Sequence, residues 1–150
     1  MKDFKLMNYT TAVAPEKSIL DIERLLARAG VKSIHKDYDG SGEATGFIFS
    51  IITTHGELFF KMPCDVEKVF AKLYSEVKQP QAGTKNRVKE QAARVAWRIL
   101  LDSLRADITR LKLEQVTPEQ VFLPYMWNPR TGKTLFEKLE GQKFLLEEHK

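Results

Sequence analysis

Residues 45–54 read Thr-Gly-Phe-Ile-Phe-Ser-Ile-Ile-Thr-Thr. Apart from Gly46 and Ser50, every one is β-branched or aromatic, the composition of a central strand. Short turns bound it: Asp39-Gly40-Ser41-Gly42 before and Thr54-His55-Gly56 after. Neither turn is long enough for a crossover, so the neighbouring runs 31–38 and 57–62 are expected to pair with it antiparallel.

Working outward, a helix precedes the strands. Pro15 suits its first turn and Gly30 its stop, and Ile19, Ile22, Leu26 and Ala29 recur on one face. Residues 4–13 are expected to add a first strand. After Pro63, Asp65 caps a helix to about residue 77, with Val66, Val69, Phe70, Leu73 and Val77 facing inward. The predicted fold class is α+β. It is a three- or four-stranded antiparallel meander in the order (β)αβββα, followed by a long core helix and short C-terminal helices. One domain of 150 residues is expected, with an α/β half at about 1–79 and a helical half at about 83–150.

The long helix covers residues 84–115. Arg87, Arg94, Arg98, Arg105 and Lys112 are spaced by 7, 4, 7 and 7. At about 100° per residue all five fall within roughly 20° of one line, on the order of 37 Å long. Val88, Ala92, Val95, Ala96 and Ile99 flank it on one side; Ala93, Trp97, Leu100, Leu104, Ile108 and Leu111 flank it on the other. Such a helix belongs in a core with one polar edge. Glu90 and Asp102 stand at helical spacing from Arg94 and Arg98 and are expected to pair with them. Left unpaired, a line of like charges rich in Arg would suit a phosphate backbone. The five basic residues are therefore the candidate nucleic-acid contacts, for DNA or RNA.

Thr117-Pro118-Glu119-Gln120 opens a helix through a capping box, and Pro124 ends it. Residues 128–132 read as a turn-rich loop, and a helix from about 134 to 139 precedes Gly141. The tail is expected to dock through Phe144 and Leu145. The apolar run 121–127 ends in Tyr125, Met126 and Trp127, with Arg130 just beyond. Tyr125, Trp127 and Arg130 are the candidate partner-binding residues, including partners in a homo-oligomer.

Composition restricts the function classes. Apolar residues make up 43% and charged residues 29%, which argues for a packed domain rather than a disordered chain. Net charge is +4, a mild lean toward anionic partners. The single cysteine, Cys64, forms no internal disulfide and suits a reducing compartment. No apolar run reaches the roughly 20 residues of a membrane span, and the first residues lack a signal-peptide pattern. The expected location is cytoplasmic, with no membrane partner.

The catalytic and metal motifs are incomplete. Asp37, Asp39, Ser41 and Gly42 start like a calcium loop, but the twelfth position is Ile48 instead of Glu. Gly132-Lys133-Thr134 ends like a phosphate-binding loop, but the required upstream Gly is Trp127. Glu57 and Lys61 share a strand, too far apart for the Glu-x-Lys of metal-dependent nuclease cores. His35, Asp37 and Asp39, with Glu43 or His55, are the residues a metal-dependent hydrolase would use. The histidines His35, His55 and His149 show no ligand spacing. Cys64 stands near a helix start without an assignable His partner. No metal site and no cofactor is assigned; with no complete catalytic motif the reading leans away from an enzyme, and a metal-dependent hydrolase or nuclease stays open as an alternative.

Several stretches carry a resemblance. They are the early Tyr9-Thr10-Thr11, the turn after Lys36-Asp37-Tyr38-Asp39-Gly40, the Ala96-Trp97-Arg98 of the long helix, and Val121-Phe122-Leu123-Pro124-Tyr125-Met126. In these the chain is similar to small uncharacterised proteins of phages and mobile elements. The resemblance implies a context, accessory roles in DNA metabolism, and brings no activity or site residues. The order αβββα also resembles double-stranded-RNA-binding domains. Where those carry basic residues at their last helix, this chain has Cys64, Asp65 and Glu67.

Overall fold

The structure, a computed structural model, describes residues 5–147. The chain forms two compact units, each assembled from two separated stretches: Met1–Leu26 with Cys64–Ile108, and Ala27–Pro63 with Thr109–Lys150. The break at residues 78–83 lies inside the first unit. Among the described residues, no helix is long and apolar enough to cross a membrane.

The architecture is α+β. Helix α1 (Pro15–Arg28) starts at its proline and stops before Gly30, whose φ of 89° only glycine adopts without strain. Strands β1 (Ser33–Tyr38), β2 (Ala44–Thr53) and β3 (Gly56–Pro63) form an antiparallel sheet in the order β1-β2-β3. The sheet has three strands. Residues 5–13, expected as a first strand, form turns instead, and Phe4 lies outside the described residues. Asn8 has a φ of 61°, a conformation asparagine tolerates, and its carbonyl accepts from Thr11 N at 3.0 Å. Those turns replace the ladder that a strand would need.

Helix α2 (Val66–Ser75) is capped by Asp65, which accepts from Lys68 N at 3.0 Å. Its stripe of Val66, Val69, Phe70 and Leu73 is half-buried rather than buried. Helix α3 (Thr84–Lys112) runs 29 residues. It stops short of Gln115 because Glu114 turns left-handed and Gln115 N reaches back to Arg110 O at 3.0 Å. Helix α4 (Pro118–Phe122) opens on the Thr117–Gln120 capping box, and a 3-10 turn (Leu123–Tyr125) follows. The expected loop at 128–132 is the turn of a small hairpin, β4 (Trp127–Asn128) with β5 (Lys133–Thr134). Helix α5 (Leu135–Gly141) is capped by Thr134 through a second capping box with Glu137.

The core of the first unit runs through Ile22, Leu26, Ala92, Val95, Trp97, Leu101 and Leu104. In the second unit Phe49, Phe60 and Phe122 meet at ring-centroid distances of 5.1 to 5.6 Å, with Phe122 edge-on to Phe49. Pairing puts Phe47, Phe49, Phe60 and Met62 on one sheet face, all buried. The other face carries a polar chain. Ser50 Oγ donates to Glu57 Oε1 at 2.9 Å, so Ser33 Oγ donates to Ser50 at 2.7 Å. Lys32 Nζ completes the chain at 3.3 Å from Glu57 Oε2. The bond from Ser50, then that from Lys32, holds the Glu57 carboxyl below its ordinary value. The tail is less docked than expected. Phe144 meets the Phe136 ring at 5.7 Å, while Phe144 and Leu145 stay half exposed.

Phe122→Ala is expected to lower stability by about 3–5 kcal/mol, the usual cost of emptying a buried aromatic site, read by urea unfolding. Glu57→Gln is expected to destabilise at pH 7. A lowered folded pKa stabilises above the unfolded value and loses that effect as pH falls through the folded one. The difference between Glu57→Gln and the parent in thermal melts should therefore vanish in acid.

Candidate nucleic-acid interface

The candidate interface lies along α3. From residue 91 to residue 102 no side chain of this helix is fully exposed, so the middle of the basic line sits in a crowded setting. The five basic residues separate accordingly. Arg87, Arg105 and Lys112 are exposed, whereas Arg94 and Arg98 are half-buried.

Two polar side chains of α3 organise the line. Asp102 Oδ1 takes the Arg105 guanidinium at 3.1 Å and stands 3.6 Å from Arg98 Nε. Its Oδ2 accepts from Asn8 Nδ2 at 2.9 Å. Gln91 does the corresponding work one end over. Its Nε2 donates to the carbonyls of Tyr9 at 3.1 Å and Thr11 at 2.9 Å, and its Oε1 accepts from Arg94 Nη1 at 3.0 Å. The turns at residues 8–11 are thus fastened to α3 at two points, Gln91 and Asp102.

The pairing expected of Asp102 with Arg98 is present, while Arg94 turns to Gln91 instead of Glu90. The difference matters electrically. Asp102 is shared by Arg98 and Arg105 and offsets part of their charge; Gln91 positions Arg94 without offsetting any. Among the described residues, neither Arg87 nor Arg94 is within ion-pair distance of a carboxylate. Both line a groove of about 320 Å³ with Gln91, Leu73 and Val88, and its walls are mostly apolar. On α1, Asp21 bonds Lys17 at 2.7 Å, which holds its carboxyl below the ordinary value with smaller help from Arg105 and Arg24. The Arg105 end of the line is therefore met by two acids, and the Arg87–Arg94 end by none.

The other sequence candidates are spread out. His35 and Asp37 lie on the outer face of β1, opposite Ile48 and Gly46. Asp39 is engaged in its own turn, its Oδ1 accepting from Ser41 Oγ at 2.7 Å, Ser41 N at 2.8 Å and Glu43 N at 3.1 Å, which lowers its pKa. Among the described residues no three His, Cys, Asp or Glu side chains cluster as a metal site would. His149 lies outside the described residues. Tyr125 is exposed, and Trp127 is half-buried with Lys61 Nζ at 6.0 Å from its ring centre. Arg130 is exposed in the β4–β5 turn, its N donating to Asn128 Oδ1 at 2.9 Å. Cys64 is buried, and burial, with Asp65 beside it, pushes its thiol up to about 12.

Gln91, Asn8, Tyr9, Leu73 and Val88 were absent from the sequence candidates. Helical spacing alone places Gln91 beside Arg94, but nothing local indicates that residues 8–11 lie against it. No family model, curated protein or solved structure matches the chain.

Because a thiol with so high a pKa has almost no thiolate at pH 8, Cys64 is expected to resist a thiol reagent in the folded protein and to react stoichiometrically in urea. Native labelling at the unfolded rate would contradict the burial.

Proposed function

We propose that this is a non-enzymatic nucleic-acid-associated accessory protein that holds the phosphate backbone through the basic edge of α3. The observation that carries this reading is the pair Arg87 and Arg94. The two arginines share one groove and have no neutralising carboxylate among the described residues. A guanidinium fork matches phosphate oxygens, and a neutral Gln91 leaves Arg94 its full charge. Seven residues of helix separate the two by about 10.5 Å, room for contacts to more than one phosphate of a strand. Lys112 extends the line beyond the acid-compensated Arg98 and Arg105. Backbone contacts of this kind read no sequence. The single buried cysteine agrees with a cytoplasmic setting.

Replacing Arg87 by Glu and Arg94 by Gln together is expected to abolish most nucleic-acid binding. Each lost phosphate contact should also reduce the slope of log affinity against log salt by about 1. Arg87 is exposed and Arg94 bonds a side chain already held by Tyr9 and Thr11, so the melting temperature should change little. Unchanged binding of DNA and RNA by the folded double variant would refute the reading.

A second reading, an assembly module, is favoured by one observation. Leu123, Tyr125, Phe136, Phe144 and Leu145 are all exposed apolar side chains of the C-terminal segment. Light scattering decides it: a dimer that dissociates on Phe144→Ser would support assembly, and a monomer at all concentrations would exclude it.

A further inference from the structure

The groove beside Arg87 and Arg94 is poorly suited to a duplex. A duplex offers phosphates at its surface while its bases stay stacked inside. Such a partner would use the two arginines and leave the apolar walls, Leu73 and Val88, without a match. An unstacked nucleotide uses both, since it brings a phosphate and an apolar base together.

An exposed aromatic residue is anchored through its backbone to Gln91, which lines the groove. Tyr9 is 40% exposed, and its carbonyl is bonded to Gln91 Nε2, the amide that lines the groove and orients Arg94. Lys5 Nζ lies 5.5 Å from the centre of the Tyr9 ring, bringing a further cation to that edge. The segment carrying Tyr9 is anchored by Asn8 to Asp102 and by two backbone carbonyls to Gln91. Its ring is therefore presented from a fixed backbone, with the side chain free of the anchoring bonds. Exposed aromatic rings beside a basic track are how proteins hold single strands without reading sequence.

We propose that the edge of α3 binds single-stranded nucleic acid, with phosphates on Arg87 and Arg94, an unstacked base against the ring of Tyr9, and the apolar groove of Leu73 and Val88 taking a neighbouring nucleotide. This rests on the nucleic-acid reading above and specifies its substrate class. Residues 8–11 then serve as part of the binding surface, held in register by Gln91.

The test uses the full chain, a labelled oligo(dT) strand and a duplex of equal length, with binding followed by fluorescence anisotropy at low salt. The parent protein is expected to bind the strand more tightly than the duplex. Tyr9→Ala should weaken strand binding about tenfold, within the range found for loss of one stacked base, with little change for the duplex. Tyr9→Leu, which keeps apolar bulk without a π-face, should fall with Tyr9→Ala, while Tyr9→Phe should recover strand affinity. Equal or tighter duplex binding, or strand binding indifferent to Tyr9→Ala and Tyr9→Leu, overturns the single-strand proposal. In that case a loss of binding in the Arg87/Arg94 double variant would leave the broader nucleic-acid reading standing. No binding of either probe by the parent protein removes both.

Discussion

A charged side chain half withdrawn from water needs a partner within the protein, because the hydration it loses has to be replaced. Helix α3 imposes that requirement on its own middle. Between residues 91 and 102 it shows no exposed residue, yet Arg94, Arg98 and Asp102 all lie in that span. Arg94 is satisfied by Gln91 and Arg98 by Asp102. The remaining hydrogen-bonding capacity of Gln91 and Asp102 then goes to Asn8, Tyr9 and Thr11. The position of the N-terminal turns thus follows from the need to satisfy polar groups on a crowded helix.

The chemical identity of each partner sets the electrostatics of the edge. An aspartate neutralises, and an amide only orients. Asp102, aided by Asp21 near Arg105, reduces the pull of that end on an anion. Gln91 leaves the other end positive and open, beside the apolar Leu73 and Val88. Five basic residues in a line therefore act unequally, and the electrical focus falls on Arg87 and Arg94.

The sheet carries apolar packing on one face and a chain of hydrogen bonds on the other. Phe47, Phe49, Phe60 and Met62 alternate onto one face, where Phe122 closes the ring cluster of the second unit. On the opposite face, Ser33, Ser50 and Glu57 pass hydrogen bonds across all three strands. That chain satisfies Ser50, a fully buried hydroxyl between the apolar Phe49 and Ile51. His35 and Asp37, the residues a metal would have required, stand on this second face, apart from Asp39 in its turn.

Local chemistry determined much of this protein in advance. The strand composition of residues 45–54, the turns at Gly40–Gly42 and Gly56, the caps at Asp65 and Thr117, and the basic line of α3 all depend on neighbours within a few residues. Each was legible for that reason. The end of α3 was less so, since Glu114 adopts a left-handed conformation that glycine usually signals. Residues 5–13 were misread as a strand because their turns are fastened by partners more than 79 positions away, with Gln91–Thr11 separated by 80 and Asn8–Asp102 by 94. The charge on each arginine was decided the same way. Spacing put Arg87, Arg94, Arg98, Arg105 and Lys112 on one line, but only the packing of the folded chain selected which of them face an acid, which face an amide, and which face open groove. Periodicity is a property of one helix, whereas desolvation and pairing depend on what the rest of the chain brings against it.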